Sequence, residues 1–435
     1  MATAPSRPAA STALLTDRYE LTMLGSALRD GTAQRRCVFE VFARRLPDGR
    51  RYGVVAGVGR VLEAVAGFCF DEETVDRLQA EGVVDGVTAD YLRGYRFTGD
   101  IDGYPEGELY FPYSPMLTVS GTFAEAVVLE TVILSILNHD CAIAAAAARM
   151  VTAAAGRPII EMGSRRTHEQ AAVAAARAAY LAGFASTSNL EAARRYGVPT
   201  AGTAAHAFTL LHDDERSAFA AQVASLGVGT TLLVDTYDIT RGIELAVEVA
   251  GPQLGAVRID SGDLGVMANQ ARAQLDGLGA TGTRIVVSGD LDEFSIAALA
   301  ATPVDVYGAG TAVVTGSGAP TAGMVYKLVE VDGRPVAKRS EHKASSGGRK
   351  TALRAHKPTG TAIEEIVIAG GAPEPGEGER MLQRPLVRGG EPVAGLPTLD
   401  EAREHLRNAT VTLPWDGLKL SKGEPAIPTR VVPAG

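Results

Sequence analysis

The clearest pattern in the chain begins near residue 158. A short apolar run gives way to a polar or glycine-rich loop, then to a helical stretch, and the cycle repeats. The apolar runs are 158–161, 184–186, 198–201, 231–235, 256–260, 284–288 and 304–308. Short runs without alternation suit strands buried on both faces, and the helical stretches between them suit crossover connections. The repeat predicts parallel βα units, most economically closed into an irregular α/β barrel of about seven strands. An open doubly wound sheet is the alternative, although no GxGxxG fingerprint follows any of these runs.

Elsewhere the pattern is different. Residues 13–125 mix short helical signals with strand-like runs such as Val38-Phe39-Glu40-Val41-Phe42 and 107–111, which reads as an α+β domain. A helix rich in Ala, Leu and Ile over about 125–154 opens the barrel domain, placed at 126–330. Strand-like, turn-broken sequence returns after 324, so 331–435 reads as a β-rich segment packing back on the amino-terminal domain and completing it. Residues 1–12 read as a disordered tail, 371–379 as an exposed loop and 399–407 as a short helix.

Composition narrows the class. At 435 residues the chain can bury at least one large core, and 46% hydrophobic with 21% charged residues is an ordinary globular mix. A net charge of −9 argues against a general nucleic-acid or anionic-membrane binder and still allows a local basic pocket. Cys37, Cys69 and Cys141 are scattered and without zinc-ligand spacing, which points to a reducing, cytoplasmic setting. The amino terminus lacks the apolar core of a signal peptide. The alanine-rich stretch 141–150 is short and bracketed by Asn138, His139, Asp140 and Arg149, so it reads as a packed helix and no membrane partner is expected.

In parallel α/β folds ligands bind at the carboxyl ends of the strands, and here those ends carry chemistry. Gly202-Thr203-Ala204-Ala205-His206 is a bare-backbone loop with a histidine able to act as nucleophile or general acid/base near neutral pH. Arg165 and Arg166 can fork onto phosphate or diphosphate oxygens. Ser288-Gly289 and Gly308-Ala309-Gly310 offer backbone N–H groups at helix starts, which suits a phosphate monoester. Asp235 and Asp260 can hold Mg2+ or accept hydrogen bonds from sugar hydroxyls. Any one of these is commonly a helix cap, a turn or a solvated charge. Together they imply a phosphorylated sugar carrying further anionic groups.

The motifs LLTDRYELTM (14–23), VFEVFARRLP (38–47), FPYSPMLTVSG (111–121), EMGSRR (161–166), STSN (186–189), GTAAHAF (202–208), VDTYD (234–238), RIDSGDL (258–264) and GAGT (308–311) extend the picture. With a Lys-Ser segment around Lys338, Ser340 and Lys343, they make the chain resemble nicotinate phosphoribosyltransferases along nearly its full length. That resemblance implies a type II phosphoribosyltransferase-like barrel and a homodimer with shared active sites. It implies synthesis of nicotinate mononucleotide and diphosphate from nicotinate and 5-phosphoribosyl 1-diphosphate, in NAD salvage. ATP would be the co-substrate, its hydrolysis coupled through a phosphohistidine that matches His206. Nicotinate contacts fall on Tyr19, Thr203 and Arg258, and a sugar-diphosphate contact on Thr311. The family's Pro-Gly before the last lysine of the Lys-Ser segment reads Gly347-Gly348-Arg349-Lys350 here, which leaves Lys350 without an assigned role.

For such a transfer, positioning and charge stabilisation dominate, with Asp260 near the ribose and Mg2+ and Arg165 or Arg166 offsetting charge on the leaving diphosphate. Two other readings stay open: a nicotinamide phosphoribosyltransferase, and a non-catalytic metabolite-binding regulator on the same scaffold.

Overall fold

A computed structural model describes residues 11–338, 346–371 and 373–433. Ser340, Lys343 and residues 1–10 lie outside the described residues. Of the expected disordered tail, Ser11 and Thr12 are placed, the Thr12 hydroxyl donating to the Ala64 carbonyl at 2.6 Å. The chain divides into two compact units, 143–320 and 1–142 together with 321–435. These boundaries differ from 126 and 330 because the helix Glu130–Ala154 belongs to both units and the strand Met324–Val331 to the second.

Unit 143–320 is built on a six-stranded sheet. In spatial order its strands are Ser186–Thr187, Ile159–Glu161, Val306–Ala309, Arg284–Ser288, Ala256–Ile259 and Thr231–Leu233, and every pairing is parallel. Helices follow the strands, as the repeat of apolar runs and helical stretches demands. The expected seventh strand, 198–201, is reduced to one parallel bridge between Thr187 and Thr200. Pro199 has no N–H to donate and takes part only through its carbonyl, which accepts from Thr187 N at 2.9 Å. Among the described residues no ladder joins this segment to Thr231–Leu233, so the hydrogen-bonded part of the expected barrel is a six-stranded parallel half-barrel.

Several polar strand-end residues are helix caps. Asn189, Asp238, Asp263 and Asp292 each accept a backbone N–H of the first turn that follows, satisfying donors the helix cannot. That use gives one oxygen of each a structural role at a helix start.

The other unit holds a seven-stranded sheet in which Arg36–Ala43 is flanked by Met324–Val331 and by Leu117–Thr122, both antiparallel. A four-stranded sheet is made entirely from the carboxyl-terminal portion, with Lys350–His356 and Ala362–Ala369 at its centre. Arg36–Ala43 is buried along all but its first residue, so Glu40 is buried too. Lys350 neutralises it: the amine meets Glu40 Oε2 at 2.7 Å and the backbone N–H meets Oε1 at 2.8 Å. Lys350 therefore has a structural partner within its own unit. The helix Glu130–Ala154 is long and apolar enough to cross a bilayer by length and composition, yet 67% of its most apolar window is buried inside the protein. It is a core helix.

Candidate active site

A cavity of about 320 Å³ opens at the carboxyl ends of the parallel strands. Arg165, Thr203, His206, Arg258 and Asp260 line it, together with Ser164, Ser188, the bare backbone of 201–205 and the apolar side chains of Met162 and Leu233. Five of the expected site residues are thus brought to one place by loops up to ninety-five positions apart in sequence (165 to 260).

His206 opens the helix His206–Leu210, behind a cap residue, Ala205, that makes no side-chain hydrogen bond. Its Nε2 lies 3.0 Å from Asp235 Oδ1. Asp235 is fully held: its Oδ2 accepts from Asp260 N at 2.8 Å and from the Ser261 hydroxyl at 2.7 Å, and its side chain is 1% exposed. A buried carboxylate facing Nε2 fixes the tautomer with the proton on that nitrogen and leaves Nδ1 with its lone pair. Three of the roughly four acceptor directions of Asp235 are thus turned to protein donors, which makes it an orienting group for His206 and for the loop that begins at Asp260.

Arg258 and Asp260, two apart at the end of one strand, are coupled through Ser288 on the next. Arg258 Nε donates to Ser288 Oγ at 2.8 Å, its Nη2 to Asp260 Oδ1 at 2.9 Å, and its Nη1 to Thr203 Oγ1 at 3.3 Å. The Ser288 hydroxyl in turn donates to Asp260 Oδ1. Burial acts to raise the Asp260 carboxyl, but the Ser288 bond and the Arg258 charge outweigh it, with a further contribution from His206. The net result lies below the usual carboxylate range. Asp260 is accordingly ionised at neutral pH.

Ser288, expected among the phosphate ligands, is buried beneath the pocket with its hydroxyl engaged in this way. Gly289 has φ +112°, and a Cβ there would come within 2.7 Å of the Asp260 carbonyl, so only glycine passes. Gly308 ends inside its strand, while Gly310 and Thr311 start the short helix Thr311–Val314. Arg166 is exposed beside Arg165 and, like these three, is not among the residues lining the cavity. Tyr19, on the helix Arg18–Asp30, belongs to the other unit and is 44% exposed.

Sequence reasoning missed the apolar walls Met162 and Leu233, whose types carry no signal. It also missed the pairing of His206 with Asp235, 29 residues apart. Glu215, the first residue of the helix Glu215–Leu226, was missed as well. It is buried, and its Oε1 has no hydrogen-bond partner among the described residues. Burial first, then the charges of Asp235 and Asp238, push its carboxyl up to about 6. A carboxyl raised in the folded state stabilises the fold below the unfolded value near 4.5, and that stability is lost as pH rises through about 6. Glu215→Gln is expected to melt at a higher temperature than the parent above pH 6, with the gap closing towards pH 4.5. Calorimetric melts across that range check it, and a gap independent of pH would count against it.

A parallel α/β protein with a histidine–carboxylate pair and two arginines around one strand-end cavity is built as an enzyme for an anionic substrate. Residues 14–138 match the nicotinate phosphoribosyltransferase (NAPRTase) N-terminal domain and residues 158–361 the nicotinate phosphoribosyltransferase (NAPRTase) family. The chain belongs to the nicotinate phosphoribosyltransferase family. It is 66% identical to nicotinate phosphoribosyltransferase pncB1 of Mycobacterium tuberculosis over 97% of this chain and 95% of that one. It is 38% identical to the nicotinate phosphoribosyltransferase of Bacillus subtilis over 79% and 73% of the two chains. The crystal structure of human nicotinic acid phosphoribosyltransferase superposes with a TM-score of 0.83 at 27% identity, covering 96% of this chain and 97% of the other.

Proposed function

We propose that the chain transfers the phosphoribosyl group of 5-phosphoribosyl 1-diphosphate to the ring nitrogen of nicotinate, giving nicotinate mononucleotide and diphosphate as a step of NAD biosynthesis. The observation that carries this reading is the convergence of Arg165, Arg258, Asp260 and His206 on one cavity, in a chain of this family. The nitrogen lone pair forms the new bond to the anomeric carbon as the C–O bond breaks, and diphosphate leaves with the electron pair. Asp260, ionised beside Arg258, faces the positive charge that develops on the sugar. Arg258, through Nη1 beside Thr203, meets the nicotinate carboxylate, which favours the acid over the amide. Arg165 and Arg166 take the diphosphate, and the Gly289 and Gly308–Thr311 turns the 5-phosphate.

ATP enters through His206. With Nε2 turned to Asp235, Nδ1 attacks the terminal phosphorus, ADP leaves, and the phosphohistidine is later hydrolysed to free phosphate. The added charge, about −2, orders the cationic loops around it and couples ATP hydrolysis to synthesis. For Mg2+ the donor set is sparse: among the described residues no group of three or more His, Cys, Asp or Glu side chains could hold a metal. Asp260 fits as a single carboxylate ligand for an ion carried mainly by substrate phosphates, where Mg2+ supplies charge neutralisation.

The working form is a homodimer in which Tyr19 of one subunit stacks on the pyridine bound by the other. Tyr19 and Met23, spaced four apart on the helix Arg18–Asp30 and both exposed, present an apolar pair suited to a partner. A reducing cytosol suits the three free cysteines. Diphosphate release measured with nicotinate, with nicotinamide and with neither tests the reading. Release with nicotinate alone is expected. Equal release with nicotinamide makes the chain an amide enzyme, and no release with either makes it a binding protein.

A further inference from the structure

Glu161 ends the strand Ile159–Glu161 and takes no part in the chemistry above, yet it is 1% exposed and both of its carboxylate oxygens are engaged. Oε1 accepts from Gly163 N and Oε2 from the Thr187 hydroxyl. The contacts spread from there. Its backbone carbonyl accepts from Ser188 N at 2.8 Å, and Thr187 Oγ1 accepts from Asn189 N at 3.0 Å. Asn189 Nδ2 then reaches across to Ser164 Oγ at 3.0 Å.

Two strand-end loops, 162–166 and 187–189, are thereby tied together at several points, and both contribute cavity walls: Met162, Ser164 and Arg165 from one, Ser188 from the other. A third loop is locked to the first. Met162 N donates to the Ala309 carbonyl at 2.7 Å, and a Cβ on Gly163 would sit 2.2 Å from Val314 Cγ1 and 3.0 Å from the Gly310 carbonyl. Arg165 is exposed, two residues beyond Gly163, so the direction of its stem is set by where this loop is held. Burial pushes the Glu161 carboxyl above its ordinary range against the opposing bonds from Thr187 and Gly163. A buried acid placed beneath an anion-binding wall is electrostatically unfavourable, so its presence calls for a compensating geometric use.

We propose that Glu161 and Thr187 form a positioning pair that aims Arg165 at the diphosphate of the sugar substrate, acting on the affinity of that substrate and not on that of nicotinate. The identity of the ligand rests on the reading given under Proposed function; the coupling between the two loops does not.

The test is calorimetric binding of 5-phosphoribosyl 1-diphosphate alone, beside steady-state kinetics of the full chain. Thr187→Val removes the hydroxyl and keeps the shape. It is expected to raise the Kd and KM for the sugar diphosphate up to roughly tenfold, the size of one lost buried hydrogen bond, with kcat and the nicotinate KM within twofold of the parent. Thr187→Ser should restore the parent values. In an Arg165→Ala background Thr187→Val should add less than twofold, because its effect passes through Arg165. A full tenfold penalty in that background, a rise in both KM values, or a fall in kcat alone overturns the proposal. If Thr187→Val fails to melt cooperatively, Glu161→Gln is read against the same outcomes, since it keeps the volume and turns one acceptor into a donor. Failure of the functional reading is separable: a parent that binds the sugar diphosphate and makes no nicotinate mononucleotide fails that reading and leaves the binding comparison intact. A parent that does not bind it overturns both.

Discussion

His206→Ala protein incubated with γ-labelled ATP acquires no acid-labile label, whereas the parent does, and nicotinate mononucleotide synthesis in the variant no longer responds to ATP. The argument starts from the ring. Nε2 is held 3.0 Å from a carboxylate whose other oxygen is saturated by Asp260 N and the Ser261 hydroxyl, so the imidazole cannot readily turn over. Nδ1 is then the nucleophilic nitrogen, on a residue that lines the cavity. Asp235→Asn extends the test. An amide cannot enforce the same tautomer, and labelling should slow by roughly 10²–10⁴-fold, the range seen when an orienting carboxylate or a general base is lost. Acid-labile label persisting in His206→Ala would place the phosphoryl group on another residue. Slow ATP-independent transfer is expected to survive in the variant, because Arg165, Arg258 and Asp260 are untouched.

The second large effect concerns Arg258. Arg258→Ala should raise the nicotinate KM by roughly 10- to 150-fold, the equivalent of about 1.5–3 kcal/mol for a charge-assisted bond to a carboxylate, and remove most of the preference for nicotinate over nicotinamide. The geometry adds a second consequence. Arg258 also neutralises Asp260 and anchors Ser288, so its loss lets burial lift the Asp260 carboxyl and moves the acid limb of the pH–rate profile upward. The sugar-diphosphate KM should rise much less. Kinetics with both pyridines over pH 5–8 check both parts, and equal weakening of the two substrates would remove Arg258 from the pyridine pocket.

Much of this site is legible without coordinates because strand ends announce themselves. An apolar run followed by Asp or Ser and Gly marks 256–260 and 284–288, and the structure places strands at Ala256–Ile259 and Arg284–Ser288. The run 198–201 has the same look and fails as a strand because its proline cannot take part in a full ladder. The family is equally legible, since its motifs are local. Side-chain pairing is not. Nothing local links Asp235 to His206, Glu40 to Lys350 across 310 positions, or Arg354 to Glu108 across 246. Nor does residue type separate a capping aspartate such as Asp238 from an orienting one such as Asp235; that depends on which donors the folded chain brings within about 3 Å.

The strand Arg36–Ala43 takes one of its two neighbours, Met324–Val331, from nearly three hundred residues further along the chain. On a ribosome adding roughly 5–20 residues per second, that edge waits about 15–60 s for its mate, and all of 143–320 is translated in the interval. During that time an apolar, hydrogen-bonding edge stands open to any other nascent chain. Production of the enzyme should therefore be limited by this delay more than by the stability of the finished molecule. Slower growth temperature or added chaperone, and not stabilising substitutions in the sheet of 143–320, is the lever expected to raise its yield.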